Sequence, residues 1–276
     1  MTMKKYTRII SIILIIISLF LVSCEKEEEF VYHPAEKPDN VAVMGTVEDN
    51  NNKNNKDNGK KKVAITYDDG PHNVYTKKIV DELDKYGFNA TFFVIGNRID
   101  GTEYNGSSAL VYAYEKGNEI GIHGYTHQPY YDTCSNEVYN YEMNSTEKAI
   151  KDKISSAKVR LMRPTWGRIS DERVKQSEYS IVLWSVDSLD WEHKYHASSN
   201  YTDTQKAEMV ETIVNNVMNS VRDGSIILMH DIYESTYDAS VIILQRLHDE
   251  GYDVVTVSEL IGNDLSAGKK FSQKSN

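Results

Sequence analysis

From residue 62 onward, short apolar runs alternate with stretches in which apolar residues return every three or four positions. The runs at 63–67, 91–95, 119–123, 159–162, 180–186, 225–229 and 252–257 read as strands. The first helix is predicted to be capped by Asn73, to carry Ile79, Val80, Leu83 and Tyr86 on one face, and to stop at Gly87. Further helices are predicted over 107–116, 136–154, 171–178, 204–222, 239–250 and 258–261. The most regular is 204–222, with Met209, Ile213, Val217 and Val221 at four-residue spacing. About seven strand–helix units in this order imply a parallel sheet, closed as a barrel or open and wound on both faces. The expectation is one α/β catalytic domain over 62–263, a distorted, TIM-like (β/α) barrel of about seven parallel strands, followed by a polar tail at 264–276.

The first 61 residues do not follow this pattern. Lys4, Lys5 and Arg8 precede an apolar run over 9–22 that is interrupted only by Ser11 and Ser18. A membrane span needs about 20 apolar residues, so the run suits an export signal better. It ends in Leu21-Val22-Ser23-Cys24, directly before Glu25. This stretch resembles a bacterial lipoprotein signal, which implies removal of residues 1–23 and a lipid on Cys24. Residues 24–61 read as the anchor and a polar linker. Positions 49–62 hold only Asn, Lys, Asp and Gly, which cannot bury apolar area, although 41–47 could form a short strand. The domain is therefore expected outside the cytoplasm, lipid-anchored to the cell membrane and facing the cell wall. An uncleaved anchor or a plain secretion signal would put it on the same side.

Composition narrows the partners. With 31 basic and 41 acidic residues the formal charge is −10, and a nucleic-acid partner is not expected, because phosphate binding needs a basic footprint. Two cysteines cannot form a disulfide scaffold, and Cys134 reads as an inert thiol. Nineteen tyrosines against six phenylalanines suit a wet, amphipathic cleft of the kind that holds sugars.

In α/β folds the reacting groups sit just past the C-terminal ends of strands. Those positions hold Asp68-Asp69-Gly70-Pro71, then His123 and His127, then Arg163-Pro164-Thr165-Trp166-Gly167, then Asp187, Asp190 and Trp191, and finally His230-Asp231. The opposite loops, at Gly87, Gly117 and Gly251, show only helix-stop residues. Of two adjacent carboxylates, one can bind a metal while the other takes a proton. His123 and His127, four apart, can converge on a metal if a carboxylate joins them and one position stays open for water. Such a set suits one divalent ion, with zinc favoured and cobalt, nickel or iron possible. Arg163 could hold a carboxylate ionised. His230 could act as a general acid tuned by Asp187 or Asp190. Trp166 and Trp191 read as cleft walls. His33, His72, His193, His196 and His248 read as surface or supporting histidines.

The five ordered motifs, Thr66-Tyr67-Asp68-Asp69-Gly70-Pro71, His123-Gly124-Tyr125-Thr126-His127, Arg163-Pro164-Thr165-Trp166-Gly167, Asp187-Ser188-Leu189-Asp190-Trp191 and Leu228-Met229-His230, resemble those of the polysaccharide deacetylases with a NodB-homology domain, carbohydrate esterase family four. The resemblance covers residues 61–262. It implies that Asp69, His123 and His127 hold the metal and that Asp68 is the base, oriented by Arg163. It also implies an oxyanion donor in the backbone near Trp166, and His230 as the acid, with Asp190 the favoured tuning partner. Trp166, Gly167, Trp191 and Leu228 would contact substrate. Four positions depart from the family pattern. Gly124 stands where Ser or Thr is usual, Gln128 and Thr165 where proline is common, and Trp166 where tyrosine is usual.

The expectation is a metal-dependent hydrolase that removes N-acetyl groups from a β-1,4-linked GlcNAc polymer, most readily peptidoglycan. An O-acetyl xylan esterase, a chitooligosaccharide deacetylase and a non-catalytic glycan-binding lipoprotein are the alternatives. Intact Asp68 and His230 weigh against the last, since binding alone needs neither a proton acceptor nor a donor.

Overall fold

The computed structural model describes residues 59–101 and 104–274. The signal, Cys24, nearly all of the linker and the 41–47 strand lie outside the described residues. Among those described, no helix is long and apolar enough to cross a membrane.

The sheet is built around β1 (Lys61–Asp68), which pairs in parallel with β7 (Ile226–His230) on one side and with β2 (Thr91–Val94) on the other. Its first residues also pair with β8 (Tyr252–Val254). From β2 the ladder continues through β3 (Glu119–Ile122) and β4 (Leu161–Met162) to β5 (Ser180–Val182). The chain then runs on, within four residues, into β6 (Val186–Asp187), which pairs with β7. One stretch of chain thus leaves β4 and arrives at β7, and the sheet curls back on itself as a distorted barrel. Every pairing between named strands is parallel, as expected for strand–helix alternation. All seven predicted strands are present, with 180–186 divided between β5 and β6.

A ninth strand, β9 (Lys270–Phe271), pairs with β5, and Gln273 bridges to Ser225 at the foot of β7. The segment 264–276, read from sequence as a polar tail, therefore contributes to the sheet. Two residues are too few to show alternation, and only the packing of Phe271 on the inner cluster betrays the strand.

Side chains alternate across a strand, and this decides what reaches the site. Val63, Ile65 and Tyr67 of β1 face outward into the cluster under the helices. Ala64 faces inward and packs with Phe93, Leu161, Val182 and Ile226, with Val257, Leu260 and Ile261 of the last helix in the same cluster. Thr66 and Asp68 continue the inward row toward the other end, beside Leu228 and His230 of β7. The barrel is therefore apolar at one end and ionisable at the other.

The outer helices are α1 (Tyr75–Lys85), α2 (Gly96–Asp100), α3 (Ser107–Glu115), α4 (Asn136–Lys153), α5 (Asp171–Gln176), α6 (Asp203–Met218), α7 (Glu234–Asp249) and α8 (Val257–Ile261). Ser135, Ser170, Thr202 and Thr256 cap α4, α5, α6 and α8, the last two as reciprocal capping boxes. Asn73 does not cap α1. The cap residue is Val74, and His72 Nδ1 accepts from the backbone N–H of Val74 and Tyr75, each at 3.2 Å. An imidazole here does what an Asx oxygen usually does. The five-residue α2 is too short to leave a helical period in the sequence.

Candidate active site

Asp68 ends the inward row of β1 and is 3% exposed. Arg163, one residue past β4 and fully buried, donates from Nη1 to Asp68 Oδ1 at 2.8 Å and to Thr66 Oγ1 at 2.7 Å. Its Nε reaches the Val182 carbonyl at 3.1 Å and its Nη2 the Leu183 carbonyl at 3.0 Å. These carbonyls lie where the chain crosses from β5 to β6. The guanidinium also lies 4.4 Å from the Phe93 ring centroid. A buried arginine with four such bonds holds its carboxylate partner at one angle.

At Asp69 the chain turns through φ 74°, an uncommon conformation for a side chain other than glycine, and its carboxylate departs from that of Asp68. His123 Nδ1 lies 2.8 Å from the Arg163 carbonyl. A carbonyl only accepts, so Nδ1 is the donor and Nε2 is the ring nitrogen turned toward the two carboxylates. That Nε2 is 3.5 Å from Asp69 Oδ1 and 3.6 Å from Asp68 Oδ2. His127 Nε2 is 3.2 Å from Asp69 Oδ1. One ligand-type atom from each of Asp69, His123 and His127 lies within 4.8 Å of the others. Asp69 Oδ1 is buried and has no hydrogen-bond partner among the described residues. Burial lowers the pKa of His127 and so favours a free imidazole lone pair. Burial would raise that of Asp69, but His230, His123 and His127 outweigh it and keep the carboxylate charged. An orphaned carboxylate oxygen between two imidazole nitrogens fits a divalent cation.

Across the cleft, His230 Nδ1 sits 2.8 Å from Asp190 Oδ1, and Asp190 Oδ2 accepts from His230 N at 2.8 Å and Thr236 Oγ1 at 2.6 Å. Asp187 instead accepts from its own loop, at Leu189 N. Burial opposes charge on His230, but Asp190, with Asp69 and Asp68 farther off, outweighs it and pushes the imidazole up to about 10. Next in sequence, Asp231 is buried beneath Gly70 and takes a hydrogen bond from Thr76. Burial pushes its carboxyl up to about 7.

Asp68, Asp69, His123, His127, Asp187 and His230 line one cleft of about 360 Å³, and Arg163 and Asp190 support Asp68 and His230 from behind it. Trp166 and Trp191, 58% and 45% exposed, stand at its mouth, and buried Leu228 lies deeper. Gly167 has φ 69°, and a Cβ there would come within 2.9 Å of the Trp184 ring. Its N–H is already given to the Pro164 carbonyl at 2.9 Å. Trp184, Lys194 and Tyr233 also line the cleft and were not foreseen. No motif contains them. The structure thus brings all eleven residues predicted for the site to one end of the barrel.

The family profile described as polysaccharide deacetylase matches residues 55–180. The solved peptidoglycan deacetylase PdaC of Bacillus subtilis is 37% identical, with a TM-score of 0.63, over 73% of this chain and 90% of that one. The chain belongs to the polysaccharide deacetylase family. The full-length peptidoglycan-N-acetylmuramic acid deacetylase PdaC of B. subtilis is 39% identical over 74% of this chain. The peptidoglycan-N-acetylglucosamine deacetylase PgdA of Listeria monocytogenes is 29% identical over 78% of it. This chain spans only 39% and 42% of the length of those two proteins. A family 4 acetyl xylan esterase from Clostridium thermocellum, solved with a cobalt ion, is 27% identical with a TM-score of 0.65, over 77% of this chain and 98% of that one.

Two of the departures from the polysaccharide deacetylase pattern, Gly124 and Thr165, have local explanations. At Gly124 (φ 91°) a Cβ would collide with the Tyr131 hydroxyl and approach Glu142 Oε2 to 3.0 Å. The space that a Ser or Thr would use is filled by the Tyr131 hydroxyl, with Glu142 from α4 beside it. The buried Glu142 carboxylate accepts from Tyr125 N at 2.6 Å, Thr126 N at 2.9 Å and Thr126 Oγ1 at 2.6 Å. Glu142 went unnoticed because it sits in a polar helix, where an acid reads as solvated. Thr165 donates to the Pro129 carbonyl at 2.7 Å and ties the turn at Trp166 to the loop after His127. Glu142→Gln cannot accept all three bonds. It is expected to weaken zinc binding about 10- to 100-fold, the usual cost of losing support behind a ligand loop. Competition with a zinc dye checks this, and unchanged affinity in a folded variant would contradict it.

Proposed function

We propose that this chain is a divalent-metal-dependent hydrolase that removes N-acetyl groups from a β-1,4-linked wall glycan, with peptidoglycan its substrate. What carries the reading is a three-ligand cluster facing a carboxylate fixed by Arg163 and an imidazole fixed by Asp190 across one cleft. Asp69, His123 and His127 would hold the cation, which when bound supplies Lewis-acid polarisation of the acetyl carbonyl and of the attacking water. Asp68 takes one proton from that water as its oxygen bonds to the carbonyl carbon. Arg163, bonded to Asp68 Oδ1 at 2.8 Å, holds that carboxylate in line. The backbone N–H of Trp166 would donate to the developing oxyanion. His230 gives its Nε2 proton to the sugar nitrogen as the C–N bond breaks, leaving acetate and a free amine. Asp190 fixes the tautomer and balances the charge on His230 until transfer. Trp191 and Leu228 hold the acetyl methyl.

We propose further that residues 1–23 are an export signal, that Cys24 bears lipid and that the linker carries the domain into the wall. Incorporation of labelled palmitate that persists in Cys24→Ser would refute the anchor. The activity is tested by acetate release from peptidoglycan, chito-oligosaccharides and acetylated xylan. Release from wall glycan is expected to vanish on chelation and in Asp69→Ala, and to return with zinc or cobalt only in the native sequence. Full activity after chelation would overturn the metal role, and release from xylan alone would overturn the substrate.

A further inference from the structure

Charge in the cleft is lopsided. Its lining carboxylates are Asp68, Asp69 and Asp187, and among the described residues the only Lys or Arg that lines it is Lys194. Lys194 lies on the loop after Trp191, is exposed, and sits 5.5 Å above the Tyr233 ring. The Tyr233 ring centroid is in turn 6.3 Å from that of His230. Among the described residues no carboxylate lies within ion-pairing distance of Lys194, unlike Lys116, Lys148, Lys151 and Lys153, which pair on the surface. An ammonium at the lip of a catalytic cleft, stacked on an aromatic ring and without a counter-ion, is a receptor for an anion.

The covalent structure of wall sugars says which anion. The reacting acetamido group is on C2 of its sugar. In N-acetylglucosamine the neighbouring C3 carries a hydroxyl, and nothing on the sugar is charged. In N-acetylmuramic acid C3 carries a lactyl ether. Its carboxylate is free wherever no peptide is joined to it and is lost as an amide wherever one is. A substituent on C3 stays within a few bonds of the C2 nitrogen, so a cation that reads it must share the cleft with the catalytic groups, as Lys194 does.

We propose that Lys194 is a specificity-determining residue that pairs with the free lactyl carboxylate of an N-acetylmuramic acid residue seated in the cleft. The inference rests on the deacetylase reading above and names the sugar. It places the reaction after whatever amide hydrolysis strips the peptide from that sugar. The ion pair also offsets the repulsion between an anionic sugar and the Asp187 side of the cleft.

The test compares kcat/KM for the zinc-loaded protein on three substrates: peptide-free wall glycan, the same glycan with its lactyl carboxylates methyl-esterified, and chito-oligosaccharides of equal length. The native protein is expected to prefer the free-acid glycan over its ester, and the preference should shrink as salt rises. Lys194→Ala is expected to lower the acid-to-ester ratio about fivefold, the scale of a partly exposed ion pair, and Lys194→Glu to lower it further. A merely structural role would move all three substrates together and leave the ratios in place. Acid-to-ester ratios unchanged in both variants, or a native preference for the neutral glycans, would overturn the inference while leaving the deacetylase reading intact. No acetate from any of the three substrates would overturn both.

Discussion

Asp68→Asn is expected to lower kcat/KM for acetate release about 10²- to 10⁴-fold, the range of a lost general base, while zinc affinity stays near that of the native protein. The separation follows from position. Asp68 Oδ1 is committed to Arg163, and the candidate ligand oxygen belongs to Asp69. Asparagine keeps the shape and can still accept from Arg163 Nη1, but it cannot take a proton from water. The substitution also leaves Arg163 charged, fully buried and without its counter-ion. Breaking such a pair costs about 3–5 kcal/mol, moderated here by the carbonyls that remain on the guanidinium. A thermal melt should therefore show a lower midpoint beside the kinetic loss. Loss of zinc binding in a folded Asp68→Asn protein would mean that the two aspartates share the ligand role.

Asp190→Asn is expected to move the alkaline limb of the pH–rate profile toward lower pH and to lower kcat at neutral pH by about two orders of magnitude. His230 must be protonated to serve the leaving nitrogen, so its activity falls as pH rises through its pKa. Asp190 is the largest influence raising that pKa to about 10 from the ordinary 6.5, and burial remains when Asp190 is gone. The limb of the metal-loaded protein lies below 10, because a cation among Asp69, His123 and His127 opposes a second positive charge nearby. The same shift carries a stability consequence. A histidine raised on folding contributes its full stabilisation below pH 6.5 and loses it as pH rises through about 10. The native protein should thus lose stability across that window, and Asp190→Asn should show a flatter dependence. Identical kinetic limbs in the two proteins would remove Asp190 from the tuning of His230.

The strand–helix order was legible because both periods are strong from β1 to β8. The rim was legible because ionisable residues gather only past the C-terminal strand ends. What escaped notice lacks a periodic or motif signal. Strand β9 is two residues long. Glu142 supports the His123–His127 loop from a helix whose polar face hides it among solvated acids. His72 caps α1 with an imidazole, where sequence rules look to Asn73. Lys194 enters the cleft from the loop after Trp191 and Tyr233 from the turn between β7 and α7, a matter of loop path rather than spacing. Between Asp187 and Asp190 the sequence left the partner of His230 open, and the turn at Leu189 (φ 53°) leads the chain on to Asp190, whose carboxylate meets the imidazole.

The far end of the described chain has a reach that its composition conceals. Lys269 and Phe271 accept from the backbone N–H of Ile181 and Leu183, at 2.8 and 2.7 Å. The carbonyls of Val182 and Leu183, on the same few residues, are the ones that grip Arg163. A protein clipped just before Lys269 would keep every reacting group yet release the strap behind the guanidinium. Proteolysis at that remote edge would then act as an off-switch for chemistry.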